Sequence, residues 1–403
     1  MKLSSSHLSM VAALSCSLLT ACGGNAAGTD PVANGAGGAG AGGGPGGPAD
    51  TCDPKAAIPC FKGLAEPCKN FHTKFDGDEY CLEPPDPSVG MQMHVGPTDY
   101  DDPVQTDKYI MPPGAEPNWY ENVTLSNTTT KYTRGYHSSM RPGSHHFIMY
   151  AIPTPVNGPV GPVQGGGGVE SASGVGGRFL AGATRATQDI DTNGQFPEDQ
   201  GIGSEMPPNV TVSANLHYIN QTDHPLLQEL WMNFIFIDEA MVTQFVKPIT
   251  WYGGLAMNIK PGTHVTLKNN PTSCKAPADI RVAMMTAHAH ASTLRVTTNM
   301  IPAAGGGPTQ LFSDYNWHEP TGWRFDRAAT NPTVDAAAGT SGAISGILQV
   351  KKGDQFGWEC EIQNNQTVNL TFGNHLLSGE MCNVFGFYYT KDRAATPWTC
   401  AFQ

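Results

Sequence analysis

The stretch IRVAMMTAHAHA, residues 280–291, is an apolar run that closes on two histidines one residue apart. It reads as an extended strand, in which side chains i and i+2 share a face. His288 and His290 therefore point the same way, and their rings can meet on one cation. Two polar residues on a wet strand face would give the same spelling, so a third ligand is needed to decide. Similar runs recur along the chain: HHFIMYAI (145–152), VTVSANLHYI (210–219), LWMNFIFI (230–237), HVTLKN (264–269), TLRVTTNM (293–300), TVNLTF (367–372) and NVFGFYYT (383–390). Short apolar or alternating runs separated by turn residues are the pattern of β-sandwiches, and an all-β chain is expected.

The totals agree. The 403 residues include 47 Gly and 32 Pro, only 14% are charged, and long apolar stretches of helical period are missing. That length suits two domains with cores of their own plus leader segments. The net charge of −12 leaves no basic stripe to offset phosphate repulsion, so a nucleic-acid partner is not expected.

The first 22 residues, MKLSSSHLSMVAALSCSLLTAC, read as an export signal, with an apolar run too short to stay in a membrane. Leu19-Thr20-Ala21-Cys22 is similar to a bacterial lipobox, in which Cys22 becomes the lipidated first residue; ordinary cleavage beside an incidental Cys is the alternative. No Asp follows Cys22 to signal inner-membrane retention, so the expected address is the outer membrane, reached through a lipid anchor alone. Residues 23–51 are mostly Gly and Ala and should behave as a flexible tether.

Setting aside Cys16 and Cys22, eight cysteines remain, an even number in an exported chain and hence a disulfide framework. Cys52, Cys60, Cys68 and Cys81 fall in residues 52–87, a small stapled module with three possible connectivities. Zinc is the competing reading, but no CxxC is present. Two bodies follow, 88–245 and 246–403, with the boundary placed where strand signal weakens near 238–250.

Three further histidines and a methionine stand out. His145 and His146 are adjacent in SHHF, so in a regular strand one would face the core. His217 sits inside NLHY, and Met381 opens the apolar strand of GEMCN. Each alone has a bland reading: a core or surface histidine, a hydrogen-bonded strand histidine, core filler. His137, His318 and His375 are left as surface or supporting groups. The acidic runs FDGDEY (75–80) and DYDDP (99–103) lack EF-hand spacing and read as solvated surface.

In their order, SHHF, NLHY, TAHAHA and GEMCN resemble the copper type II, ascorbate-dependent monooxygenases, the family of peptidylglycine α-hydroxylating monooxygenase and dopamine β-monooxygenase. The resemblance runs from about residue 88 to the end and takes in GQFPEDQGIGSEM (194–206) and DYNWHEP (314–320). It implies two antiparallel, jelly-roll-like β-sandwich domains in tandem with one copper in each and a gap between them. His145, His146 and His217 would hold one ion, and His288, His290 and Met381 the other. A thioether favours Cu(I), so the Met381 site would be the oxygen site and, with His288 and His290, the catalytic one. The three-histidine site would supply an electron that comes from ascorbate or another one-electron donor. The resemblance also implies the bridges Cys360 to Cys382 and Cys274 to Cys400.

Thr286 stands where the peptide-hydroxylating members keep an Arg for the substrate carboxylate. With Asn383, Phe385 and Phe387 it is expected to line a less polar pocket, for a compact neutral or aromatic molecule with an activated C–H bond. Dioxygen and that small molecule are the expected partners; the oligomeric state is not legible. Two other classes remain open: a copper storage, sensing or delivery lipoprotein using the same six ligands, and an adhesion sandwich with incidental histidines.

Overall fold

The computed structural model describes residues 66–152, 163–164, 178–183, 186–191, 200–315, 317, 320, 322–325, 341–342, 348–373 and 378–403. The export signal, Cys22, the tether, Cys52, Cys60, His318 and His375 lie outside them. Strands dominate these residues, and the helical pieces are short turns such as Pro103–Thr106, capped by the Asp102 carboxylate on Val104 N. No helix among the described residues is long and apolar enough to cross a membrane.

In the first half, one antiparallel sheet orders Asn118–Thr124, Thr211–Tyr218, Ser144–Ile152 and Arg178–Ala183 side by side. The facing sheet orders Gly90–Val95, Leu230–Ile237 and Lys131–Met140. Their inner faces meet in one core that includes Met93, Tyr136, Phe147, Met149, Val212, Leu216, Met232 and Phe234. The second half repeats the plan. His264–Lys268, Gln355–Gln363, Thr293–Ile301 and Thr309–Asp314 form one layer, and Gln244–Gly253, Cys382–Thr390 and Ile280–His288 form the other. Trp251, Trp323, Trp358 and Phe312 fill its core.

The halves share a sheet. Ile202–Met206 pairs with Lys131–Thr133 on one side and, in parallel at Ile202 and Gly203, with Gln244 and Phe245 on the other. One 11-stranded sheet therefore runs through both halves, and residue 245 lies inside the strand Gln244–Gly253.

The sheet of Ile280–His288 and Cys382–Thr390 is covered on both faces, which is why these strands read as nearly continuous apolar runs. Val282, Met285, Ala287, Val384 and Tyr388 face the second core, while Ala283, Met284, Phe385, Phe387 and Tyr389 belong to the first. A register shift between Val282 and Met284 lets two successive residues face the first half and then restores the alternation.

Three disulfides are formed among the described residues: Cys68–Cys81, Cys274–Cys400 and Cys360–Cys382. The segment carrying Cys68 and Cys81 is docked on the first half. The fully buried Arg141 guanidinium donates to the Asp76 carbonyl at 2.8 Å, pairs with Asp78 at 3.0 Å and pairs with fully buried Glu229 at 2.5 Å. Phe71, Tyr100 and Trp231 stack around that guanidinium. The run FDGDEY thus docks through Asp78 and the Phe75 and Asp76 carbonyls, while the Asp76 and Glu79 side chains stay exposed as an acidic surface would.

Candidate metal centre

Pro142 and Gly143, the latter at φ 85°, turn the chain from one sheet of the first half into the other, and His145 and His146 follow at once. His146 lies opposite His217, but the next pair is Ser144 with Tyr218, so His145 is the extra residue of a β-bulge. A bulge re-aims one side chain. Here it brings two adjacent residues to one side: the His145 and His146 rings lie 4.9 Å apart, and each is 5.0 Å from the His217 ring. One ring nitrogen from each falls within 4.8 Å of the others, a group able to hold a metal ion.

His288 ends its strand opposite Asn383, and His290 follows in the turn, with ring centres 5.5 Å apart. A buried carboxylate organises this corner. Glu380 Oε1 accepts from His290 N at 2.6 Å and from Met381 N at 2.9 Å, while Oε2 accepts from Ser292 N at 3.0 Å. Burial pushes its carboxyl up to about 7. Met381 is itself buried, and its sulfur accepts from Asn383 Nδ2 at 3.3 Å.

The donor set fits a borderline or soft metal. His146 Nε2, His288 Nε2 and His290 Nε2 are buried with no hydrogen-bond partner, an unfavourable state for a polar atom unless something else occupies its lone pair. His290 Nδ1 faces the Gly379 carbonyl at 3.2 Å and His217 Nε2 faces Glu116 Oε1 at 2.9 Å, the outer contacts that orient metal-binding imidazoles. Burial, reinforced by the neighbouring imidazoles, holds His146 and His288 well below the usual histidine range and His290 down to about 4. All three are neutral at neutral pH, the form that binds metal.

A cleft of about 330 Å³ opens beside these rings, lined by His146, His288, Thr286, Phe385, Phe179 and Met284 among others. Thr286 and Phe385 are where the sequence expects a pocket. Asn383 and Phe387 are not among its lining residues. Asn383 is buried between Met381 Sδ and Gly253 N, which donates to its side-chain oxygen at 3.3 Å, so it holds the methionine instead. Phe387 lies two residues farther along the strand, stacked 5.3 Å from Phe179.

His137 is buried against Asp189 at 2.6 Å, where the sequence suggests an exposed ring. Glu116 and Glu229 carry no motif and escape sequence reasoning. Glu380 alone had a signal, standing next to Met381. Trp317, from the DYNWHEP segment, brings its ring to 5.3 Å from His145.

Neither a protein-family model nor a curated protein matches this chain. Among solved structures, the major capsid protein P2 from Bacteriophage PM2 is similar at 8% identity and TM-score 0.27, covering 74% of this chain and 97% of that one. The triple jelly-roll structure from an archaeal virus is similar at 5% identity and TM-score 0.20, covering 78% and 61%. PNGF-II is similar at 8% and 0.28, covering 75% and 66%. Likeness at this level carries no argument about function.

Proposed function

We propose that this chain is a dicopper monooxygenase that hydroxylates an activated C–H bond of a small organic molecule, using dioxygen and an external one-electron donor such as ascorbate. The observation that supports it most is the set of buried imidazoles with unpartnered nitrogens at His146, His288 and His290, with the buried Met381 tied by its backbone N–H to the same Glu380 carboxylate as His290. Buried neutral nitrogens and a thioether form a donor set for copper, imidazole serving both oxidation states and sulfur favouring Cu(I). His145, His146 and His217 would hold one ion; His288, His290 and Met381 the other. When bound, copper would supply the one-electron and oxygen chemistry that side chains cannot.

The residues themselves bind, orient and exclude water. Glu116 and the Gly379 carbonyl fix two of the rings, and Glu380 holds His290, Met381 and Ser292 in one arrangement. Phe179, Phe385, Met284 and Ile148 make the cleft largely apolar. Thr286 cannot replace the two-pronged contact of an Arg with a carboxylate, so a neutral or aromatic substrate fits the cleft better than a C-terminal glycine peptide. Export and lipid anchoring at Cys22 of the outer membrane belong to the same proposal and rest on the leader sequence.

The test is copper content followed by turnover. The purified full-length chain is expected to bind about two coppers, the number that two three-ligand sites imply, and to consume oxygen with ascorbate and substrate. Met381→Ile is expected to keep the three-histidine copper and lose turnover. Two coppers without oxygen consumption on any donor would favour storage or delivery, and no copper at all would end the metal reading.

A further inference from the structure

The resemblance implies two coppers set apart, one to each sandwich, yet the rings do not separate that way. His146 of the first set and His288 of the second lie 4.9 Å apart, the same spacing as His145 to His146 within the first set. His217 and His290 make a second approach at 6.4 Å. The imidazoles of both halves therefore form one contiguous cluster of five. The strand Ile280–His288 brings its ring-bearing end to the first half on the face that also carries Met284 and Phe385.

We propose that the two ligand sets form a single interacting dicopper chamber and not two isolated centres; this rests on the two-copper reading above. Three observations carry it. An ion about 2 Å from an imidazole nitrogen lies about 3 Å from the ring centre, so ions held by two rings whose centres are 4.9 Å apart stand at most about 11 Å apart. Each set also has one carboxylate behind it, Glu116 on His217 and Glu380 under His290 and Met381, which offsets the repulsion between two nearby cations. Finally, the cleft is lined by His146 and His288 together, one ring from each set, so a small molecule in it reaches both. Electron transfer between bound ions would then have the His146–His288 ring contact as its shortest protein path.

Electron paramagnetic resonance of the full-length protein loaded with Cu(II), with copper measured on the same sample, tests this. The expected result is about two coppers per chain, as two three-ligand sites require, together with a half-field transition and dipolar broadening. Both should vanish in a His288→Ala/His290→Ala double variant that keeps only the first ion. Two coppers giving the plain sum of two isolated signals, without a half-field line, would overturn the single chamber and leave the two-copper reading standing. Fewer than two coppers in the unmodified protein would overturn both. The unmodified chain carries the decision, so a variant that fails to fold does not blunt it.

Discussion

Two carboxylates set the behaviour of individual residues, Glu116 and Glu380. Glu116 acts on the centre through His217, and outer-shell partners of this kind are worth about 10–100-fold in metal affinity. Glu116→Gln is expected to weaken one of the two coppers by about ten-fold or more, the amount typical of such a partner, measured by competition with a chelator of known affinity. Equal affinities would show that the contact does not orient the ring. Glu380 accepts from three backbone N–H groups inside the protein, and each buried donor left unpaired costs ~1–3 kcal/mol. Glu380→Ala is thus expected to lose about 3 kcal/mol or more of unfolding free energy in urea, whereas Glu380→Gln retains an acceptor oxygen and loses less. The Glu116 contact was not legible from residue order alone. Glu116 is 101 positions from His217, and only the pairing of Asn118–Thr124 with Thr211–Tyr218 brings them together.

Among the elements, the docked segment around Cys68–Cys81 depends on Arg141. Removing one partner of a buried ion pair leaves the other charge uncompensated, at a cost of about 3–5 kcal/mol. Arg141→Met should destabilise the chain by about that amount in denaturant titrations and expose residues 66–87 to limited proteolysis. If the variant melts like the parent and the segment resists cleavage, the guanidinium is not what holds it. The strands themselves were readable, because two-residue alternation and continuous apolar runs are local signals. Their pairing was not. The doubled histidine illustrates the limit: adjacent residues of a regular strand face opposite ways, and the bulge that turns His145 beside His146 is a property of the register with Thr211–Tyr218.

For the whole molecule, the buried imidazoles tie stability to pH. In the copper-free chain, His146, His288 and His290 stay neutral below the point near 6.5 where unfolded histidines take up protons. The unfolded state then binds more protons than the folded one, so stability falls as pH drops from about 6.5 toward about 4. Glu380 opposes this. Its folded carboxyl, raised to about 7, stabilises the fold at low pH and gives that up as pH rises from about 4.5 to 7. Three imidazoles outweigh one carboxylate, so the melting temperature of metal-free protein is expected to decline between pH 6.5 and 4.5, a range set by the unfolded values, and copper should shift the decline to lower pH. A flat profile would mean that the rings are protonated in the folded chain.

The sequence by itself determined the all-β class, the strands and the histidine and methionine positions worth examining, since alternation, turn residues and side-chain chemistry are written locally. Only the tertiary structure decided that the halves share one sheet, that Asn383 and Phe387 are not among the cleft-lining residues while Thr286 and Phe385 are, and that five imidazoles from both halves form one cluster. Those facts depend on register and on the packing of strands far apart in the chain, and neither is set by a residue's near neighbours.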